Sequence, residues 1–258
     1  MGCSNSKDQG PQGTLMEQYQ QAGLTHPWST DYENDFEKQI FMGINLCRHD
    51  PKRFVPYVRM AYKNYPPLKQ GKRQAELIKK LQTMEAIPLV RFDPQANEAV
   101  RGNNNALYEA NEETVKAGGN VAKYSELNGG TDMSSKCEEI TISKFEGHEG
   151  TEFVAILLAT DFEKDRSAEA KQEPAQPAAP QTEEAPAEAG DKPAEAQPAA
   201  GEESKESGPV QQPAESTAPY SPILDETVAL VGISNKGHRK TVNVIQVLFV
   251  RETGNMMA

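Results

Sequence analysis

The residues most suggestive of chemistry stand at the start of the chain, in the run Met1-Gly2-Cys3-Ser4-Asn5-Ser6. Removal of the initiator methionine exposes Gly2, and Ser6 occupies the position at which the N-myristoylation pattern requires Ser or Thr. One myristoyl chain binds membranes weakly, with a constant of about 10⁴ M⁻¹, so stable anchoring needs a second signal. The first 37 residues hold one cation, Lys7, which excludes a polybasic second signal. Cys3 is therefore predicted to carry a palmitoyl group beside the acylated glycine.

Composition limits the class of protein. The 258 residues include 38 acidic and 27 basic side chains, for a formal charge of −11. This balance excludes a nucleic-acid binder, because phosphate neutralisation needs clustered Lys and Arg. No apolar run approaches the ~18–20 residues that span a bilayer. Cys3, Cys47 and Cys137 are too few and too scattered for a disulfide scaffold or a zinc knuckle. We therefore expect a protein on the cytoplasmic face of a membrane, bound through its acyl chains to that membrane.

A long acidic insertion divides the chain. Residues 163–219 hold 9 of the 18 prolines and 13 acids against 5 bases, with Ala, Glu, Pro and Gln dominant. Such a segment buries too little apolar surface to offset its ordering entropy, and it is predicted to be disordered. Residues 1–29 are predicted to form an acylated disordered tether. The folded domain is then expected in two parts, 30–162 and 220–258.

Hydrophobic spacing predicts an α+β fold for these two parts. A capping box at Thr30-x-x-Glu33 is predicted to begin the first helix. The predicted helices are centred on 36–47, 54–62, 77–84, 93–118 and 151–162, with Gly118-Gly119 closing the fourth. The predicted strands are Glu139–Ile142, Thr227–Ser234 and Thr241–Arg251, the last two joined at Asn235–His238 in a hairpin.

Parts of both folded blocks resemble the CAP superfamily, in its microbial and protist SCP-like branch. Residues 36–57 and 87–100 resemble the opening of the family's domain. The matching positions are Asn45, Arg48, Pro51, Phe54, Leu89 and Asp93. Cys137–Ile140 resembles the Gly-Glu-Asn-Ile segment of the family, Phe153–Asp161 its apolar helix, and Val231–Phe249 its closing hairpin. The resemblance implies an α-β-α sandwich, here interrupted by the insertion.

The family often carries a cleft in which two histidines and two acidic residues hold a divalent metal. By resemblance, Glu138 matches the first acidic position and Asp161 the second, whereas the stretch Lys123–Asp132 lacks the first histidine. His238 in Gly237-His238-Arg239 looks like the second histidine. The alternative, which we favour, places it at the turn of the closing hairpin, with the insertion replacing the family's Gly-His-Arg loop. His148 is a possible substitute ligand. We expect a depleted cleft, no catalytic residue and no cofactor, with a divalent metal as the alternative.

A basic stretch offers a second surface for lipid. It contains Lys69, Lys72, Arg73, Lys79 and Lys80, and each cation near an anionic headgroup layer contributes about 1 kcal/mol. The alternative is a solvated helix face. Together these features predict a doubly acylated, non-enzymatic binding or scaffold module whose protein partner is unknown. A residual metal or hydrolytic cleft, or a lipid-binding module, is the alternative function.

Overall fold

Helices and strands are interleaved along the chain in the computed structural model, which describes residues 13–110, 118–147, 149–164 and 221–252. The helices are α1 (Leu15–Gln21), α2 (Asp35–His49), α3 (Val55–Asn64), α4 (Gln74–Thr83), α5 (Pro94–Ala110), α6 (Gly119–Leu127) and α7 (Gly150–Glu163). The strands are β1 (Arg91–Phe92), β2 (Cys137–Ser143), β3 (Val228–Gly237) and β4 (Asn243–Arg251). Short 3₁₀ turns occur at Ser29–Asp31, Pro51–Phe54, Pro66–Leu68 and Pro222–Leu224. The predicted α+β class is confirmed.

The four strands form one mixed sheet in the order β1-β3-β4-β2. β1 runs parallel to β3, and the other two pairs are antiparallel. Glu138 of β2 lies opposite Phe249 of β4, and Gly237 of β3 lies opposite Asn243. The predicted hairpin therefore forms, with β3 extending three residues beyond the predicted end at Ser234, to Gly237.

Helices cover both faces of this sheet because successive strand side chains point to opposite sides. Val247 and Phe249 of β4 join the larger core, which includes buried side chains of α2, α3 and α7. Leu248 and Val250 point the other way and pack with α5 and α6. The helix α5 lies so close to β3 that a Cβ at Gly232 would stand 2.3 Å from the Ala96 carbonyl carbon. Only glycine fits there.

The most apolar helix, α7, lies in the centre of the larger core. Its side chains from Phe153 to Leu158 are all buried, and it packs against α2, α3 and β2. A helix that is hydrophobic on all sides must be enclosed by other elements, which accounts for this position. The predicted helix at 151–162 is confirmed, and it reaches Glu163, the first residue of the predicted insertion.

The start of the folded domain differs from the sequence prediction. α2 begins at Asp35 with Asn34 as its N-cap, so the capping box predicted at Thr30 is wrong. A capping box does form further upstream, where Thr14 and Glu17 begin α1. Tyr19 of this helix is buried in the core. The prediction that the tether extends to residue 29 is therefore wrong from residue 14 onward.

The helix predicted over 93–118 is described only as far as Ala110, and residues 111–117 lie outside the described residues. Gly118, predicted with Gly119 to close that helix, has φ +77° and is the N-cap of α6. A positive φ is costly for any residue with a Cβ, which explains the glycine. The sequence analysis predicted no helix after Gly119, so it missed α6. Residues 1–12 and 165–220, which include the acylation pattern and nearly all of the predicted insertion, lie outside the described residues.

Candidate functional site

Glu138, the first acidic residue of the expected cleft, is bound to an arginine. Its Oε2 accepts a hydrogen bond of 2.7 Å from Nη2 of Arg251, whose Nε donates to Oδ2 of Asp225 at 2.8 Å. Burial by itself would raise the pKa of Asp225, but hydrogen bonds from Thr227 and Arg251 hold it below its usual value. Arg251 thus bridges two carboxylates at the end of β4 and ties β2 to the chain just before β3.

Asp161, the second acidic residue of the expected cleft, lies on α7 and is paired with a lysine. It is fully buried near the C-terminal end of α7, and its Oδ1 lies 2.8 Å from Nζ of Lys164. That ion pair spans one turn at the end of the helix. Asp161 is therefore part of the helix end from which the chain enters the predicted insertion.

His238 lies at the opposite end of the sheet from Glu138. Its backbone N–H donates to the carbonyl of Val242 in the loop between β3 and β4, whereas Glu138 lies opposite Phe249. Seven residues along β4 separate these two levels, or about 24 Å at ~3.4 Å per residue. Metal ligands must lie near 2 Å from the ion, so the side chains of His238 and Glu138 cannot bind the same metal ion.

The structure thus does not assemble the cleft of Glu138, Asp161 and His238, and it places His238 at the hairpin turn. The hairpin position, which the sequence analysis favoured over the cleft position, is confirmed. Within the described residues, no group of three or more His, Cys, Asp or Glu side chains is placed to hold a metal ion. His148 lies outside those residues. Glu138 is engaged with Arg251, and a metal would have to displace that guanidinium.

Two residues that carried the family resemblance serve as structural clamps. The amide of Asn45 donates to the carbonyl of Val90 at 3.1 Å and accepts from its N–H at 2.8 Å. Arg48, fully buried on the same helix, donates through Nε to the carbonyl of Pro88 at 2.6 Å. Side chains of α2 therefore hydrogen-bond the backbone of the segment that leads into β1, and Asn45 makes the paired donor and acceptor bonds that a neighbouring strand would make.

Arg48 also binds the chain where it returns from the predicted insertion. Its Nη atoms donate to the backbone carbonyls of Pro222, Ile223, Asp225 and Val228, at 2.9–3.4 Å. Burial lowers the pKa of Arg48 to about 10, and Asp225 opposes that shift. The guanidinium is still charged at neutral pH, with its positive charge facing carbonyl dipoles. The segment that leads to β3 is thus anchored on α2.

The basic stretch is only partly available to a lipid surface. Arg73 is engaged: its Nη1 donates to the carbonyl of Phe162 at 2.6 Å, and its guanidinium lies 4.4 Å from the centre of that ring. Its Nε and Nη2 bind the carboxylate of Glu76. Lys69, Lys72 and Lys79 are exposed, and Lys80 is half-buried. Arg73 therefore joins the start of α4 to the end of α7.

The sequence analysis missed a buried cluster of amide side chains on the α5 face of the sheet. Nδ2 of Asn103 donates to Oδ1 of Asn120 at 2.9 Å and to Oε1 of Gln246 at 3.4 Å. Nδ2 of Asn120 and Nε2 of Gln246 then lack a partner among the described residues, and both side chains are fully buried. Buried polar groups are rarely left unpaired, so this cluster is a place where water fits. The only signal in the sequence was the run Asn103-Asn104-Asn105.

Several clefts open on the described surface. One of about 590 Å³ lies between α1, α2 and the start of α7, and its polar lining includes Asp35, Lys38 and Glu149. Another of about 690 Å³ runs beside α5 and is lined by acidic and amide side chains together with Arg101. Both contain charged groups of each sign. Their linings favour no particular reaction.

The two described thiols, Cys47 and Cys137, are poor nucleophiles at neutral pH. Burial raises the pKa of Cys47 to about 12 and that of Cys137 to about 11. A thiol acts as a nucleophile through its thiolate, which is scarce at neutral pH when the pKa is this high. Gly2 and Cys3, the predicted acylation sites, lie outside the described residues.

Comparisons with known proteins were made at the level of family, sequence and fold. The chain matches no family model, no curated protein and no solved structure. Across the described residues, none of the helices has the length and apolar character required to cross a bilayer.

Proposed function

We propose that this chain is a lipid-anchored binding or scaffold module, held at the cytoplasmic face of a membrane by acyl chains on Gly2 and Cys3. The observation that carries the proposal is the opening run Met1-Gly2-Cys3-Ser4-Asn5-Ser6, which meets the myristoylation pattern and supplies an adjacent thiol. Two acyl chains attach a protein stably to a membrane, whereas a single acyl chain gives only transient attachment. Twelve residues lie between Gly2 and the start of α1 at Leu15, and so short a tether would keep the folded domain close to the bilayer.

The folded domain is proposed to be a CAP-like α-β-α sandwich. The support comes from the residues of the resemblance: Asn45 and Arg48 bind the segment before β1, and the last two strands form a hairpin. Helices on both faces of the sheet agree with this proposal. The acidic insertion lies between α7 and β3, at the place where the family carries its Gly-His-Arg loop.

Binding rather than catalysis is proposed because the acidic residues of the expected cleft have other roles. Glu138 is bound by Arg251, and Asp161 by Lys164. A general acid or base needs a carboxyl group that can reach substrate, and these two carboxylates are occupied by cations. The proposed role of the domain is therefore to present a surface at the membrane.

The proposal is tested by membrane fractionation of cells that express the full chain with a C-terminal tag. Wild type is expected in the membrane fraction and to incorporate an alkyne-labelled myristate. Gly2→Ala removes the acceptor amine and should move the protein to the soluble fraction. Cys3→Ser leaves one acyl chain and should give partial, salt-independent release.

A matched control is Asn5→Gln, which changes the same segment without removing an acyl acceptor or the serine that the pattern requires. It should fractionate as wild type does. Membrane association of Gly2→Ala equal to that of wild type would refute anchoring through the N-terminus. Absence of myristate label from the wild-type chain would do the same.

A further inference from the structure

The hairpin end formed by the last residues of β3 and the loop to β4 concentrates positive charge on an acidic chain. Lys236, His238, Arg239 and Lys240 stand within five positions, whereas the whole chain has a formal charge of −11. Arg239 and Lys240 are exposed, and Lys236 is half-buried. The Gly-His-Arg triplet singled out in the sequence lies in this loop. Its position at a hairpin end, away from Glu138, leaves its charge without a role in the expected cleft.

The loop has a defined shape. The N–H of His238 donates to the carbonyl of Val242, and Oγ1 of Thr241 donates to the carbonyl of Asn243 at 3.2 Å. Thr241 itself is buried. The loop is therefore closed by its own hydrogen bonds, and the charged side chains project from a supported backbone.

The last turns of α5 support the same side chains. Nζ of Lys236 hydrogen-bonds Oδ1 of Asn105 and lies 5.3 Å from the centre of the Tyr108 ring. The Arg239 guanidinium lies 5.4 Å from the same ring. A cation over an aromatic face is attracted without being neutralised. Tyr108 thus holds two cations beside each other and leaves their charge in place.

No carboxylate among the described residues forms an ion pair with Lys236, Arg239 or Lys240. This contrasts with Arg251 and Arg73, whose guanidinium groups are each paired with a carboxylate. A cation that is paired with a carboxylate has most of its charge neutralised within the folded domain. An exposed cation that is not paired can attract an anionic partner. Within the part of the chain that the structure describes, this hairpin end therefore carries three positive charges that no ion pair neutralises.

An apolar side chain accompanies these cations. Val242 is 62 % exposed, although the valines that follow it on β4 are buried. Lys and Arg near an apolar tip suit the boundary of a bilayer, since the cations meet anionic headgroups and the apolar group enters the layer beneath. An acidic protein partner would match the charge and would leave the exposed valine unexplained.

We propose that this basic hairpin tip, formed by Lys236, Arg239, Lys240 and Val242, docks on an anionic membrane surface. The inference extends the proposed function, since it takes the membrane as the place where the chain works. It supplies what two acyl chains lack, namely a fixed orientation of the folded domain. The acyl chains tether the N-terminus, and the basic hairpin tip turns one end of the sheet towards the headgroups.

The experiment uses the full chain carrying Gly2→Ala, produced in bacteria, so that no acyl chain contributes. Its partition onto vesicles of 30 % phosphatidylserine in phosphatidylcholine is compared with that onto pure phosphatidylcholine at low salt. Each near-surface cation contributes roughly a fivefold factor, so Lys236→Ala with Arg239→Ala and Lys240→Ala should lower the partition about 100-fold. Raising the salt should weaken binding of the parent chain.

The charge-matched control is Lys69→Ala with Lys72→Ala and Lys79→Ala, which removes three exposed cations from the basic stretch. The fold-loss in partition for this control variant should be at least ten times smaller than the fold-loss for the tip variant. Val242→Ser should also weaken binding, and this loss should be the same at low and at high salt because the contribution of the valine is apolar. Thermal unfolding of each variant verifies that the fold is intact.

Equal losses in the tip and control variants would overturn the proposal, because the effect would then follow total charge. A larger loss in the control would assign the contact to the basic stretch and overturn it as well. Absent binding of the parent chain to anionic vesicles, or tip-dependent binding to polyglutamate with none to vesicles, would also overturn it. Acylation is removed in every arm, so these outcomes are independent of the fractionation experiment.

Discussion

At the scale of single residues, Arg48 ties two distant parts of the chain to α2. It donates to the carbonyl before β1 and to four carbonyls before and within the start of β3. Arg48→Met should lower the free energy of unfolding by about 3–5 kcal/mol, because five backbone carbonyls, four of them in buried hydrogen bonds, lose a charged hydrogen-bond donor. Urea denaturation followed by circular dichroism measures this change.

The conservative variant tests the geometry of that contact. Arg48→Lys keeps the charge but replaces a planar, five-donor group by a compact ammonium, so it should recover less than half of the loss. Lys63→Met, on an exposed position of α3, serves as the control and should change stability by less than about 1 kcal/mol. A stability of Arg48→Lys equal to that of wild type would show that charge alone suffices.

At the scale of elements, Glu163 joins the end of α7 to the start of α4. Its carboxylate accepts hydrogen bonds from the hydroxyl of Tyr62 at 2.6 Å and from the N–H groups of Arg73 and Lys72 at 2.8 and 3.1 Å. Partial burial would raise its pKa, but these bonds hold the pKa below its usual value. Glu163→Gln should therefore cost about 1 kcal/mol at pH 7, a value reduced by solvent exposure.

The pH dependence of this contact has a definite sign. A carboxyl whose pKa is lowered in the folded state adds stability above its unfolded pKa, near 4.3, and loses that contribution as the pH falls through the folded value. The difference in unfolding free energy between wild type and Glu163→Gln should shrink between pH 5 and pH 3. The matched control is Glu85→Gln, at an exposed site without a hydrogen bond among the described residues, which should change the free energy of unfolding at pH 7 by less than about 0.5 kcal/mol.

At the scale of the whole molecule, the predicted insertion separates α7 from the segment that Arg48 holds. Both ends of this insertion are anchored, through Glu163 and through the carbonyls of 222–228. If the insertion contributes no packing, a Gly/Ser linker of a quarter of its length in place of Asp165–Ala218 should stabilise the fold. Loop-closure entropy predicts a gain of about 1 kcal/mol, or roughly 2–4 °C in Tm.

Differential scanning calorimetry measures that change on the purified domain. The informative control keeps the full length of Asp165–Ala218 but scrambles its sequence, which preserves composition and loop length. It should unfold at the temperature of wild type. A drop in Tm for the scrambled chain would show that specific residues of the segment pack on the folded domain, contrary to the prediction of disorder.

The strongest local patterns were enough to predict most of the regular structure. The spacing of apolar residues predicted α2, α3, α4, α5 and α7, and alternation with turn residues predicted β2, β3 and β4. These patterns succeed because helix and strand periods are set by backbone geometry within a few residues. The spacing failed at α1 and α6, which are short, and at β1, whose two residues carry no period of their own.

The candidate site could not be predicted in the same way. Glu138 and Arg251 are 113 positions apart, and their contact depends on the register of β2 on β4. The same register places His238 about seven residues further along the sheet, beyond the reach of any shared ion. Motif matching identified these residues by type and order, and order along the chain does not specify distance in space.

By itself the sequence determined the opening acylation pattern, the confinement of −8 of the net charge to residues 163–219, and the period of each long helix. Only the tertiary structure decided which charged groups are paired. It placed Arg251 on Glu138 and Arg48 on backbone carbonyls, and it left the cations of the basic hairpin tip without a carboxylate among the described residues. Local patterns follow from neighbouring residues, whereas pairing depends on contacts that form after distant segments pack together.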